Sequence, residues 1–136
     1  MAFLIDELKR EHFTLVSILN KVTEFGTNSK ERFDTLFSAK TGLLEHVKKE
    51  DAELYPVLRK AAEKDEELKM MLDMFANDMN TVSKAAFGFF DKYSHGNSGS
   101  ELDFAVDFGR LWGLLELRIR KEENILYPEF EKIKLF

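Results

Sequence analysis

Along four stretches of the chain, apolar residues recur in alternating steps of three and four, the spacing of one face of an α-helix. The first stripe runs Leu8, His12, Leu15, Leu19, Val22. The second runs Leu43, Val47, Glu50, Leu54, Val57, with His46 on the edge of the same face. The third is Leu68, Leu72, Phe75, Met79, Val82, Ala86, Phe89, and the fourth is Phe108, Trp112, Leu115, Ile119, Glu122, Leu126, flanked by Arg118. No stretch alternates with a period of two, so no strand competes. The breaks fall at Gly26–Ser29, near Lys64 and Asp65, and at Ser94–Ser100, giving helices over roughly 3–25, 30–63, 66–93 and 101–133. Asn28 with Glu31, and Ser100 with Asp103, read as N-caps with a returning carboxylate. The pattern predicts an all-α fold, a single antiparallel up-down four-helix bundle filling one domain over residues 1–136.

The polar residues inside these stripes change the picture from fold to chemistry. His12, Glu50 and Glu122 interrupt apolar seams, and a buried charge without a partner costs several kcal/mol. Each lies near the middle of its helix, as does Met79, and the middles of four packed helices meet at one height. The second and fourth helices also repeat one another. Shifted by 72 places, Leu43–Pro56 matches Leu115–Pro128 at six of 14 positions, including Lys49-Glu50 with Lys121-Glu122 and Leu54-Tyr55-Pro56 with Leu126-Tyr127-Pro128. They are two equivalent staves, each supplying one inward carboxylate. His46 and Glu50, four apart, point from one helix face toward one place. Two imidazoles and two carboxylates form a mixed nitrogen and oxygen set that suits iron, manganese or zinc and not copper(I).

Composition narrows the partners. Twenty Lys and Arg against 25 Asp and Glu give a net charge of −5, which argues against nucleic acid. The absence of cysteine removes disulfides, thiolate metal sites, iron–sulfur clusters and covalently attached haem. No stretch approaches the roughly 18 apolar residues of a membrane span, and charges follow Met1 too soon for a secretory leader, so the expected location is the cytoplasm. No serine on an inward stripe lies near a histidine, and the ferritin-type Glu-x-x-His motif is absent. The balance is against an enzyme. A haem held by His12 and Met79 would leave two core glutamates unexplained, and His95 in its Gly/Ser loop reads as solvated. The 13 Phe residues read as packing, some of them as an apolar route for a gas.

Leu44-Glu45-His46-Val47-Lys48-Lys49-Glu50-Asp51 followed by Leu54-Tyr55-Pro56 resembles the second-helix motif of hemerythrin-like (HHE cation-binding) domains. Glu122-Glu123-Asn124-Ile125-Leu126-Tyr127-Pro128 resembles the fourth-helix motif, and Glu11-His12 is similar to the family's first ligand. The resemblance implies a four-helix bundle holding non-haem iron, used to bind or sense oxygen or to handle nitric oxide and iron. By that resemblance His12 and His46 are terminal ligands of one iron, and Glu50 and Glu122 are the bridging carboxylates. The second iron's histidines are replaced, by Arg118 four residues before Glu122 and by Met79 in the third helix. The expectation is therefore a mononuclear iron site of His12, His46, Glu50 and Glu122, open to a small diatomic ligand, with the Arg118 guanidinium where a second cation would sit. The alternative is a metal-free interaction or signalling module whose inward cluster is a salt-bridge network. Charge counting favours that network, because a divalent metal would leave the two glutamates and Arg118 at a net +1, whereas ligand identity favours the metal.

Overall fold

In the computed structural model, residues 3–24, 30–93 and 100–134 are described, and among them every regular element is helical. The elements are α1 (Phe3–Val22), α2 (Lys30–Lys49), α3 (Tyr55–Ala62), α4 (Glu66–Tyr93), α5 (Glu101–Lys121) and α6 (Tyr127–Lys134). Wider π-turns at Glu50–Leu54 and Glu122–Leu126 join α2 to α3 and α5 to α6, so six segments make four continuous helices. These match the predicted stretches to within a few residues. The Gly26–Ser29 turn, the Asn28 cap and His95 lie outside the described residues. The break with no Gly or Pro is made by Asp65, whose Oδ1 accepts the Leu68 N–H at 3.1 Å and caps α4. Ser100 and Asp103 form the expected reciprocal cap of α5, with bonds of 3.0 and 3.2 Å.

Proline explains the two π-turns. Pro56 and Pro128 have no N–H, and in a regular helix their rings would strike the carbonyl four residues back. Widening the preceding turn by one residue relieves that clash, and the Tyr55 and Tyr127 N–H groups then bond to the Glu50 and Glu122 carbonyls, five residues back. The extra residue rotates the helix relative to a strict heptad. Consequently the buried seam of the second helix is Leu43, His46, Glu50, Leu54, Leu58, and that of the fourth is Phe108, Leu111, Leu115, Arg118, Glu122, Leu126. Val47, Val57, Trp112 and Ile119, expected in the seams, are half-buried flanks. His46 and Arg118, expected at the edges, stand in the middle.

Helix α1 packs along α2, α4 along α5, and α3 against both α4 and α6. The core between them is not continuous. One apolar cluster gathers Leu15, Leu19, Leu43, Val82, Phe89 and Phe108, among others, and a second gathers Ile5, Leu8, Leu54, Leu58, Leu72 and Leu126. Between the two lies a layer of buried polar side chains: His12, His46, Glu50, Arg118 and Glu122. The phenylalanines serve packing in the first cluster, where the Phe89 ring lies 4.8–6.0 Å from those of Phe90, Tyr93, Phe104 and Phe108. Buried Arg32 lies over the Phe104 ring at 4.0 Å and binds Glu101 at 2.7 Å. Each such aromatic pair adds about 0.5–1.5 kcal/mol beyond its buried area. Phe89→Ala should lower the unfolding free energy by about 3–5 kcal/mol, read from urea denaturation.

Candidate metal centre

Three of the four helices supply the polar layer's ligand candidates. His12 comes from the middle of α1, His46 from the last turn of α2, and Glu50 and Glu122 are the first residues of the two π-turns. One ligand atom from each of the four lies within 4.8 Å of the others, and all four residues are buried. His12 Nε2 is 2.8 Å from Glu122 Oε1. His46 Nε2 is 3.3 Å from Glu50 Oε2 and 3.6 Å from Glu122 Oε1, yet makes no hydrogen bond. A buried imidazole nitrogen without a partner is costly, and here it faces two carboxylates.

The outer nitrogens of both rings are tied down. His12 Nδ1 bonds to Glu123 Oε2 and His46 Nδ1 to Glu11 Oε1, each at 2.7 Å. Lys49 in turn donates to Glu11 at 2.6 Å and to Glu7 at 3.0 Å. Because a carboxylate only accepts, each Nδ1 carries a proton, and both Nε2 atoms point inward, free in the neutral ring to give a lone pair to a metal. Carboxylate–histidine pairs of this kind orient imidazoles for a metal and raise their basicity.

Tyr127, which the stripe reading missed, completes the interior. Its hydroxyl donates to Glu50 Oε2 at 2.7 Å and lies 3.2 Å from both Glu122 Oε1 and His12 Nε2. Its ring stacks on His12 at 5.6 Å between centroids. The signal was available, since the repeat pairs Tyr127 with Tyr55, each five residues after an inward glutamate. Burial, and then the charges of Glu122 and Glu50, push the Tyr127 hydroxyl far above the usual phenol range, so it remains a donor.

Arg118 is 3% exposed and turned inward. Its Nε donates to Glu122 Oε2 at 2.9 Å, Nη1 to the Phe75 carbonyl at 2.9 Å and Asp78 Oδ2 at 3.1 Å, and Nη2 to the Tyr55 hydroxyl at 2.9 Å. On the third helix the guanidinium therefore meets Asp78 and Phe75, whose ring lies 4.9 Å from it, while Met79 packs half-buried against the first apolar cluster and lines the same cavity as Arg118. Asp78 also corrects the charge count. Asp78, with Glu11 and Glu123 behind the histidines, outweighs Arg118 and Lys49, so the layer and its immediate partners are net negative when the histidines are neutral, which favours a cation. Of the other acids near the seam, Glu11 serves His46, and Glu116 binds Arg120 on the surface.

Electrostatics separate the two glutamates. Burial raises Glu122, but His12, His46 and Arg118 outweigh it and hold that carboxyl well below the usual range. Burial and the Glu122 charge push Glu50 up, so Glu50 is the more readily protonated of the two. For His46, burial acts downward, but the nearness of Glu122 and Glu50 outweighs it and holds the pKa at about 10. Without a metal, a proton therefore stands between His46 and the carboxylates.

The family model for the Hemerythrin HHE cation binding domain matches residues 4–130. The chain belongs to the hemerythrin HHE cation-binding domain family. No curated protein and no solved structure matches it. The residues fit the metal that this family binds, on three observations: the unpartnered His46 Nε2, the two oriented imidazoles, and a small cavity of about 20 Å³ lined by all four candidates. That volume admits a single water-sized occupant.

The raised His46 pKa has a consequence for the metal-free hemerythrin domain. An unfolded histidine titrates near 6.5, so this group's contribution to stability is complete below that pH and is lost as pH rises toward 10. Urea unfolding of chelator-treated protein should show a free energy that falls across this window. The same series in His46→Gln should be flatter, and equal slopes would contradict the assignment.

Proposed function

We propose that this chain is a small non-haem metal-binding protein that holds a single iron ion and serves to sense or handle oxygen, nitric oxide or iron. His12 Nε2, His46 Nε2, Glu50 and Glu122 are its ligands. The observation that carries this reading is the convergence of four buried ligand atoms within 4.8 Å, with both imidazoles oriented from behind by carboxylates. The four helices are read as one antiparallel up-down bundle forming a single domain over residues 1–136, in a cytoplasmic protein. No described helix is long and apolar enough to cross a membrane, which agrees with that reading.

When bound, iron supplies a redox couple and a coordination position that a diatomic ligand can take. The chain's own groups do the rest. Glu11 and Glu123 fix the imidazole planes, and Lys49 steadies Glu11 from the surface. Tyr127 offers a hydroxyl proton between Glu50 and Glu122, where charge on an incoming ligand would otherwise meet only carboxylates. Arg118 takes Glu122 Oε2, leaving Oε1 to face the histidines. A guanidinium is permanently charged and geometrically fixed, so at this position it serves in place of a second cation and limits the site to one.

Metal content per chain, measured after anaerobic ferrous loading and removal of excess, tests the reading directly. The expected result is one iron, lost in His46→Ala. No retained iron, with an unchanged melting temperature, would instead favour a metal-free interaction module built on the same polar network. Arg118→His, which removes the fixed cation and adds a ligand, should raise the content toward two per chain. Two irons in the unaltered protein would overturn the role given to Arg118.

A further inference from the structure

The polar layer is closed on almost every side. Along the helix axes it is sealed by the two apolar clusters. Toward α1 and α2 it is closed by the Glu11–His46 and Glu123–His12 bonds, and Lys49 braces Glu11 from outside. On the α4 side a single layer of residues, Asp78 and Phe75, touches Arg118 from outside. A surface groove of about 340 Å³ lies between α4 and the Glu122–Leu126 π-turn, lined by Met71, Met74, Phe75, Asp78, Lys121 and Ile125. The small cavity on the other side is lined by Arg118, Met79, Glu50, Glu122 and both histidines. Asp78 faces the groove, Arg118 faces the cavity, and the 3.1 Å bond between them, backed by the Phe75 carbonyl, separates the two spaces.

We propose that this groove is the entrance by which small uncharged molecules reach the polar layer, and that the Asp78–Arg118 pair is its latch. The inference rests on the metal-binding reading for what the entrant would meet, but the latch itself does not depend on it. Met71, Met74, Phe75 and Ile125 give the groove apolar walls that do not penalise an uncharged entrant, and thioether side chains adapt to one easily. The paired charges at its inner end close the path to ions. Of Arg118's anchors, Glu122 and the Phe75 carbonyl are held inside, whereas the Asp78 side chain is 36% exposed. An ion pair with one partner in water is the weakest member of such a set and the first to open. Opening it frees one Nη1 N–H on the groove side, while the Phe75 carbonyl, Tyr55 and Glu122 keep the rest of the guanidinium in place.

Two measurements test this. In the metal-free protein, side-chain NMR at low temperature follows exchange of the Arg118 Nη1–H protons with water. Asp78→Asn, a half-exposed and nearly isosteric change, should speed that exchange by about tenfold, the scale of one charge-assisted hydrogen bond discounted for exposure. In the iron-loaded protein, stopped-flow mixing with nitric oxide should show faster association in Asp78→Asn and severalfold slower association in Met74→Trp, which fills the groove. Met70→Trp, on the same helix but outside the groove, should leave the rate unchanged. Unaltered Nη1–H exchange in Asp78→Asn would overturn the latch whether or not iron binds. Nitric oxide rates indifferent to Met74→Trp, or slowed equally by Met70→Trp, would overturn the entrance. A chain that takes up no iron yet shows the faster exchange would refute the metal-binding reading and leave the latch standing.

Discussion

Two carboxylates buried between apolar layers set the terms for everything around them. Glu50 and Glu122 are each 2% exposed, and ionised groups at that depth persist only if protons, cations or strong donors surround them. The chain meets the requirement unequally. Glu122 receives His12 on one oxygen and Arg118 on the other, whereas Glu50 has the Tyr127 hydroxyl and the unaligned His46. The under-served side of the layer is therefore around Glu50 and His46 Nε2, which has no hydrogen-bond partner.

The backbone accommodates this layer through its two prolines. By forcing a wide turn directly after each glutamate, Pro56 and Pro128 bring Glu50 and Glu122 into the same seams as the residues four before and four after them. One device used twice puts His46 and Arg118 in corresponding places, so the internal repeat of the sequence becomes a rough two-fold relation across the layer. The two halves then diverge in chemistry. Where the repeat carries an imidazole, its Nε2 faces the shared carboxylates and can hold either a proton or a metal there. Where it carries a guanidinium, the same space is filled by a fixed charge that Tyr55 and Asp78 hold from outside.

The apolar clusters on either side have a second role besides stability. They keep water from the layer, which strengthens every charge interaction inside it and makes an unmatched group there expensive. That is why the outer carboxylates matter. Glu11 and Glu123 lie at the boundary with solvent, where ionisation costs little, and transmit a fixed orientation to imidazoles that could otherwise turn.

The number of helices, their limits and the identity of the four ligand candidates were all legible in the sequence. Apolar spacing reports which face of a helix is buried, and a charged residue in an apolar stripe stands out regardless of its neighbours. The Leu-Tyr-Pro repeat marked equivalent helices for the same reason, and Asp65 could have marked the third boundary as a capping residue. What the sequence left open depends on phase and on partners from distant elements. A strict heptad put His46 and Arg118 at the edges of their seams, because the one-residue slip of a π-turn is invisible to a fixed period. Met79 stands out because it continues a stripe, and it lines the same cavity as Arg118, but the hydrogen bond to the guanidinium comes from Asp78, whose half-exposed position no stripe marks. Tyr127, Tyr55 and the two outer carboxylates acquire their roles only when helices far apart in sequence are brought within a few ångströms. Periodicity records what each helix buries. Only the packed structure decides which atoms meet, because a hydrogen bond depends on distances and angles that no single helix contains.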